Sequence, residues 1–440
     1  MQNIYKLEFP IFNNDVKDNW FAGAGLGIFI HFGHAASKGW ELSWQMTGGV
    51  QGQFPLREPV NCDEYFNNAF SFNPSKFDAE IWAKEIFDSG AKYAVFTTKH
   101  HDGFAMFDSA FSDYTICKST TFARDLTKEL VDALRKFCIR IGFYFSLPDW
   151  YSDKYPRMTD ATVTKPYELG SYIRRTSEEW AEFKEYFNNQ LTELLSNYGQ
   201  IDVMWFDGEF EHTEQEWDFA GIRNLVKSLQ PNCLINDRCV GHGDFSTPEQ
   251  HASNVDIDTP WELCLTMNDS WGWTSYDNRW KSVPNILGIL LETNIDGGNL
   301  LLNVGPNGEG QFPAEASLIL SEIGKWVSKN NKALHGVTRI NEAISCDFPT
   351  AAKEVDGKEI IYIYLKNRPW DFVSLKNVPV NRITNVRVLG VEESITYSAV
   401  PFLPEVHKGS IDPRGELEIY LSPETADSLI PVIEISFSKV

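Results

Sequence analysis

The 440-residue chain has no close pair of cysteines. Its seven cysteines, Cys62, Cys117, Cys138, Cys233, Cys239, Cys264 and Cys346, contain no CxxC spacing, so the thiolate pairs of structural zinc sites and redox motifs are missing. Their odd number argues against a complete disulfide framework. Long apolar runs are absent too. "YAVFT" and "NILGILL" fall far short of the roughly 20 residues that cross a bilayer, so no membrane insertion is expected. Positive charge is scarce: 39 Lys and Arg stand against 61 Asp and Glu, a formal net charge of −22, with no basic patch. Such a surface repels phosphate backbones and anionic headgroups, which argues against nucleic acid or a membrane surface as partner and favours a neutral or cationic ligand. The opening "MQNIYKLEFPIF" has neither a basic leader nor a long apolar segment. The expected compartment is cytoplasmic, or periplasmic or secreted if a signal peptide has been removed. No GxGxxG opens a helix after the first strand and no Walker loop occurs, which disfavours a doubly wound nucleotide-binding domain.

What the chain does have is aromatic side chains: 14 Trp, 16 Tyr and 30 Phe. That surplus suits a large core and a groove for a ring-shaped ligand such as a sugar. Near-continuous apolar runs, as strands buried on both faces require, occur at 25–33, 91–100, 139–147, 200–208, 232–239 and 298–306. Between them lie segments with apolar residues at i, i+3, i+4 and i+7, such as 74–90, 125–139 and 177–199. Repeated β-then-α over this length predicts a parallel sheet, here a TIM-like (β/α)8-type barrel over residues 1–336, closed by a long helix at 313–334. From residue 337 the texture changes. Alternating strands such as "KEIIYIYLK" and "PVIEISFSK" follow without helical segments, which predicts a C-terminal β-sandwich over 337–440.

The polar residues stand at the far ends of the apolar strands. His31 follows "GIFI", His100 and His101 follow "YAVFTTK", Tyr144 interrupts "GFYFS", Asp207 follows "VMWF" and Arg238 follows "LIND". In a parallel barrel those ends open onto one face, where active sites form. A lone Asp before Gly is ordinarily a turn former, and a lone strand-end His is ordinarily a structural hydrogen-bonding residue. Repetition on five strands shifts the balance towards a site. Metal binding by His100 and His101 is disfavoured, since adjacent strand residues point to opposite faces. A retaining glycosidase needs a strand-mounted carboxylate, a second carboxyl roughly 5 Å away and donors for the hydroxyls. Asp207 fits the first role. Glu209, Glu249 and Glu262 are candidates for the second; Glu209, two residues along the same chain, reads as a neighbour. Gly208 reads as room for the sugar and for the chain's exit.

"GIFIHFG", "AKYAVFTTKHHDGFAMFDS", "GFYFSLPDW", "VMWFDG", "INDR", "TPEQ", "WELCLTMNDSWGW" and "GGNLLLNVGPNGEG" occur in this order. Together they resemble the α-L-fucosidases of glycoside hydrolase family 29, over about residues 15–335. The resemblance implies retaining, exo-acting hydrolysis of terminal α-L-fucose with neither metal nor cofactor, on a fucosylated oligosaccharide or glycoconjugate. It implies Asp207 as nucleophile, Glu249 in "TPEQ" as acid/base and Glu262 in "WELC" as the alternative. It assigns His31, His100, His101, Tyr144 and Arg238 to the sugar hydroxyls or the nucleophile, and Trp271 to the fucose methyl group. Glu64 in "CDEYF" is placed with the hydroxyl-binding set, with Trp40 and Trp44 bordering the pocket. Rim segments 38–70 and 150–175 are expected to govern linkage preference. Two other readings stand beside this one: an inactivated barrel that only binds carbohydrate, and an enzyme acting on a galactoside or another 6-deoxy sugar. Association into a homo-oligomer is left open.

Overall fold

Runs of Val, Ile, Leu, Phe and Tyr too short for helices form seven parallel strands: β1 (Leu26–Ile30), β2 (Tyr93–Lys99), β3 (Arg140–Ser146), β4 (Val203–Asp207), β5 (Leu234–Ile235), β6 (Glu262–Thr266) and β7 (Asn299–Val304). The computed structural model describes residues 20–48, 58–156, 158–160, 175–252, 259–392 and 395–438. The opening segment and parts of both rim segments, 49–57, 157 and 161–174, lie outside the described residues. The strand order is β5-β4-β3-β2-β1-β7-β6. Between β5 and β6 runs residues 245–249, joined by isolated parallel bridges from Phe245 to Asn236, Ser246 to Trp261 and Glu249 to Cys264. The curled sheet is therefore the expected (β/α) barrel. Every residue of β1, β2, β6 and β7 is buried, as expected for strands covered on both faces. The sequence pattern missed β6, whose five residues are flanked by polar ones, and the 245–249 segment, which makes only single bridges.

Helices fill the connections: α1 (Cys62–Asn68), α2 (Ala79–Asp88), α3 (Leu126–Lys136), α4 (Ser177–Asn197), α5 (Glu214–Trp217), α6 (Phe219–Leu229), α7 (Val283–Ile295) and α8 (Ala314–Asn330). Their starts follow capping chemistry. Asp78 and Asp125 accept first-turn N–H groups of α2 and α3, and Thr176 with Glu179 makes a reciprocal capping box on α4. On α3 the residues Leu126, Leu130, Val131 and Leu134 share the buried face, which is the predicted 3.6-residue period.

Two compact units result. One holds Leu26–Lys281 and Leu300–Ser321; the other holds the described residues up to Gly25, Ser282–Asn299 and Glu322 onwards. The second unit carries β8 (Thr338–Arg339), β9 (Ser345–Cys346), β10 (Thr350–Val355), β11 (Lys358–Tyr364), β12 (Val373–Pro379), β13 (Ile383–Val388), β14 (Thr396–Pro401), β15 (Arg414–Tyr420) and β16 (Val432–Phe437). They form antiparallel sheets ordered β13-β16-β11-β10-β8 and β14-β15-β12-β9. Alternation along β15 buries Gly415, Leu417 and Ile419, and Leu417 and Ile419 join Ile361, Val373, Leu375 and Ile433 in one core. Short helices at Leu403–His407 and Pro423–Ala426 interrupt the strands, where none was expected; each begins with Pro at a first-turn position. Among the described residues no helix is long and apolar enough to cross a membrane.

Candidate active site

Asp207 is the last residue of β4 and pairs in register with Ser146, the last of β3. Two positions back on β3, Tyr144 is fully buried, and its Oη donates to Asp207 Oδ2 at 2.8 Å. His101 Nε2 stands 3.6 Å from the same oxygen. The Asp207 side chain keeps 21% of its surface exposed, so its carboxylate is both held and reachable. Gly208 has φ +87°, and a Cβ there would lie 2.4 Å from Pro148 Cδ. The glycine is required by the left-handed turn and by Pro148; the room expected for a sugar is taken by that ring.

Three histidines surround this carboxylate, and their neighbours set what each can offer. Asn303, with Asn299 one of two amides in the otherwise apolar β7, donates from Nδ2 to the Trp271 carbonyl at 2.7 Å. Its Oδ1 therefore faces His31 Nδ1 at 2.6 Å and takes that proton, which leaves Nε2 as an acceptor. Ser146 Oγ donates to the Pro148 carbonyl at 2.9 Å, so it accepts from His101 Nδ1 at 2.7 Å. His101 Nε2, buried and without a protein partner, is thus a lone pair aimed at the Asp207 side of the site. His100 Nδ1 meets Ser43 Oγ at 2.6 Å. Burial lowers His31 and His101 from 6.5 to about 4 and lowers His100 as well, so all three rings are neutral near pH 7. The His100 and His101 rings lie 4.3 Å apart rather than on opposite faces. β2 ends at Lys99, and past a strand's end the alternation of side chains lapses.

A cleft of about 470 Å³, open to solvent, is lined by Phe29, His31, Trp44, His100, Trp205, Asp207, Phe210, Arg238, Glu249, Cys264 and Trp271. Arg238 Nη1 donates to Glu209 Oε1 at 3.1 Å, and Nη2 lies 3.7 Å from Glu249 Oε2. Its guanidinium also sits 5.8 Å from the Trp205 ring centre. Glu249 is paired backbone to backbone with Cys264, and its side chain is 27% exposed.

Other expected residues fall elsewhere. Glu262 starts β6, fully buried, accepting from Trp205 Nε1 at 3.0 Å and from Tyr93 Oη. It stands two residues, roughly 7 Å, towards the barrel floor from Cys264, and does not line the cleft. Burial raises its carboxyl from 4.5 to about 7. Glu64 is exposed in the first turn of α1, whose buried face is built from Tyr65 and Phe66, so the expected hydroxyl-binding role has no geometric basis. Trp40 stacks on Tyr65 at 5.5 Å and is not part of the cleft wall, whereas Trp44 is. The buried acid of this region is Glu41, which sequence reasoning missed. Its Oε1 accepts the Trp271 N–H at 2.7 Å and its Oε2 the Gly272 N–H at 3.2 Å, fixing the aromatic wall. Burial lifts Glu41 from 4.5 to about 8.

The alpha-L-fucosidase family model matches residues 2–332. The tissue alpha-L-fucosidase of Macaca fascicularis is 30% identical over 350 residues, covering 75% of this chain and 71% of its own. The structure of alpha-L-fucosidase isoenzyme 1 from Paenibacillus thiaminolyticus aligns with a TM-score of 0.76 at 30% identity, covering 96% of this chain and 98% of that one. The alpha-fucosidase of Thermotoga maritima, solved with a mechanism based inhibitor, aligns with a TM-score of 0.74 at 25% identity, over 94% and 96% of the two chains. With a family match over most of its length and that family's fold around a carboxylate-lined cleft, the chain belongs to the alpha-L-fucosidases of glycoside hydrolase family 29.

Proposed function

We propose that the enzyme is an exo-acting, retaining α-L-fucosidase in which Asp207 is the nucleophile and Glu249 the acid/base. The observation that carries this reading is the Asp207 carboxylate, anchored by Tyr144 at 2.8 Å and facing a cleft that also contains Glu249. Tyr144 holds Oδ2, which leaves Oδ1 for the anomeric carbon. In the first step an Oδ1–C1 bond forms as the C1–O bond to the leaving group breaks, and the Glu249 proton passes to the departing oxygen. In the second, Glu249 takes a proton from water as the water oxygen bonds to C1, and Asp207 leaves with net retention. The neutral rings of His31, His100 and His101 suit sugar hydroxyls, His31 and His101 as acceptors through Nε2. The aromatic wall at Trp271 and Phe29 gives the 6-deoxy carbon an apolar corner.

A raised carboxyl pKa near 7 would itself suit an acid/base, which keeps Glu262 as the competing reading. Its distance from the cleft weighs against it. The deciding experiment compares Glu249→Ala and Glu262→Ala on an aryl fucoside and a fucosylated oligosaccharide. Glu249→Ala should lose roughly 10²- to 10⁴-fold on the oligosaccharide, less on the activated aryl substrate, and regain rate with azide, giving the α-configured fucosyl azide. Azide rescue of Glu262→Ala instead moves the assignment. Running the wild-type enzyme on a panel of aryl glycosides separates hydrolysis of fucose from action on another sugar and from binding without turnover.

A further inference from the structure

Arg238 poses a difficulty for the acid/base. A guanidinium does not release its proton in proteins, and a cation within about 4–6 Å of a carboxyl favours the ionised form. With Nη2 only 3.7 Å from Glu249 Oε2, Arg238 works against a group that must begin the cycle protonated. A third carboxylate changes this balance. Glu209 Oε1 lies closer to the same guanidinium, 3.1 Å from Nη1, and its Oε2 is buried without a protein partner.

The backbone delivers Glu209 to that place. β4 ends at Asp207, Gly208 turns the chain at φ +87°, and a single 3-10 turn, Glu209–Glu211, follows. The Glu209 carbonyl accepts from Trp217 Nε1 at 2.9 Å, and Phe210 stacks on Trp44 at 6.5 Å. Charge then follows simply. Asp207, Glu209 and Arg238 together carry one net negative charge, and ionising Glu249 adds a second. Without Glu209, Asp207 and Arg238 cancel, and ionising Glu249 meets no net repulsion.

We propose that Glu209 is a positioning residue that engages Arg238 and offsets its charge, so that Glu249 retains its proton at working pH. This rests on the assignment of Glu249 made above. The groups facing the cluster are Asp207 itself, Tyr144 from β3, His101 after β2, Arg238 after β5, Glu249, and Cys264 on β6. Burial keeps Tyr144 and Cys264 protonated by raising them and His101 neutral by lowering it to about 4, so carboxylates alone govern the charge between pH 5 and 8. Burial and the adjacent Asp207 charge raise Glu209, and the attraction and hydrogen bond of Arg238 act against that rise and favour its ionised form.

The test is the pH dependence of kcat/KM on an aryl fucoside. Glu209→Gln should move the alkaline limb to lower pH by about 1 unit or more, the acid limb following in the same direction, with the acidic-side rate kept. Glu209→Asp retains the charge and should restore the limb. Arg238→Gln, which does not depend on a Glu209 variant folding, should move the alkaline limb upwards. A rate lowered equally at every pH in Glu209→Gln, or an Arg238→Gln limb that stays or moves down, overturns the proposal. Glu249→Gln keeps the two failures apart. An alkaline limb that persists in that variant sinks the Glu249 assignment, whereas a limb that belongs to Glu249 but ignores Glu209 sinks only the present inference.

Discussion

In the barrel, buried polar groups converge on one cleft; in the sandwich, most are matched off in pairs. Around Asp207 gather Tyr144, His101, Arg238, Glu209 and Glu249, and two buried atoms among them, His101 Nε2 and Glu209 Oε2, have no protein partner. In the sandwich Arg382 meets Glu359 at 2.9 Å and the Ser438 carbonyl at 2.7 Å, and Glu434 meets Arg387 at 2.6 Å. Both sets face the same physics, since a buried polar group left without a partner costs free energy. Among the described residues after 336 one buried side-chain atom is left without a hydrogen-bond partner, Asp412 Oδ1, whose carboxylate lies 3.8 Å from Arg382. The barrel leaves part of the satisfaction to whatever enters the cleft, the pattern expected where local rules yield to function.

That contrast is open to breaking from either side. Asp207→Asn carries the largest expected effect: a loss of roughly 10⁴-fold or more in kcat/KM, since an amide oxygen is no nucleophile at C1. Its melting temperature should hold, because the amide can keep its oxygen on the Tyr144 hydroxyl and place its NH2 at the reachable Oδ1 position. A fall of several degrees would show that the carboxylate is structural and that the contrast is misdrawn. The opposite experiment is Ile361→Ala in the sandwich core, where the side chain is fully buried. A cost of about 2–5 kcal/mol in unfolding free energy is expected, with kcat/KM per folded molecule unchanged. Denaturant melts combined with active-site titration separate the two quantities. A parallel fall in rate per folded molecule would tie the sandwich to catalysis.

The same contrast explains what could be read from the chain. Strand-end placement is a local pattern, so Asp207, His31, His100, Tyr144 and Arg238 are all legible in the sequence as barrel-end residues. The sandwich showed itself by alternation, although β10, β12 and β14 did not, because their buried and exposed positions do not alternate: β10 buries Ala351 and Ala352 in succession, β12 ends on buried Val378 and Pro379, and β14 buries no residue fully. What stayed hidden acts across the fold. Glu41 reaches the Trp271 backbone across 230 residues of sequence, and no periodicity announces such a contact. Glu64 looked suitable because its neighbours resembled a known pattern, and the helix phase that turns it outward is set by the packing of Tyr65 and Phe66. Asn303, Ser43 and Ser146 were missed because each touches a histidine, and small polar residues have too many ordinary uses for their type to signal this one.

Ser146 allows the smallest and most selective test. Its Oγ accepts the His101 Nδ1 proton at 2.7 Å while donating to Pro148, which fixes the ring with its lone pair on Nε2. Ser146→Ala removes that acceptor, and a buried N–H without a partner favours moving the proton to Nε2. There it can donate to Asp207 Oδ2, now 3.6 Å away, which quiets the nucleophile and presents a sugar hydroxyl with a donor in place of an acceptor. One hydrogen bond's worth of loss, about 1.4 kcal/mol or 10-fold in kcat/KM, is expected, with the imidazole nitrogen shifts of His101 exchanging their assignment. Ser146→Thr keeps the hydroxyl and should keep most of the rate. The matched change in the sandwich, Ser374→Ala, deletes a 2.6 Å hydrogen bond to Glu416 and should leave the rate untouched. If the two alanine variants behave alike, Ser146 is a packing residue, and the tautomer of His101 is set by Asp207 itself.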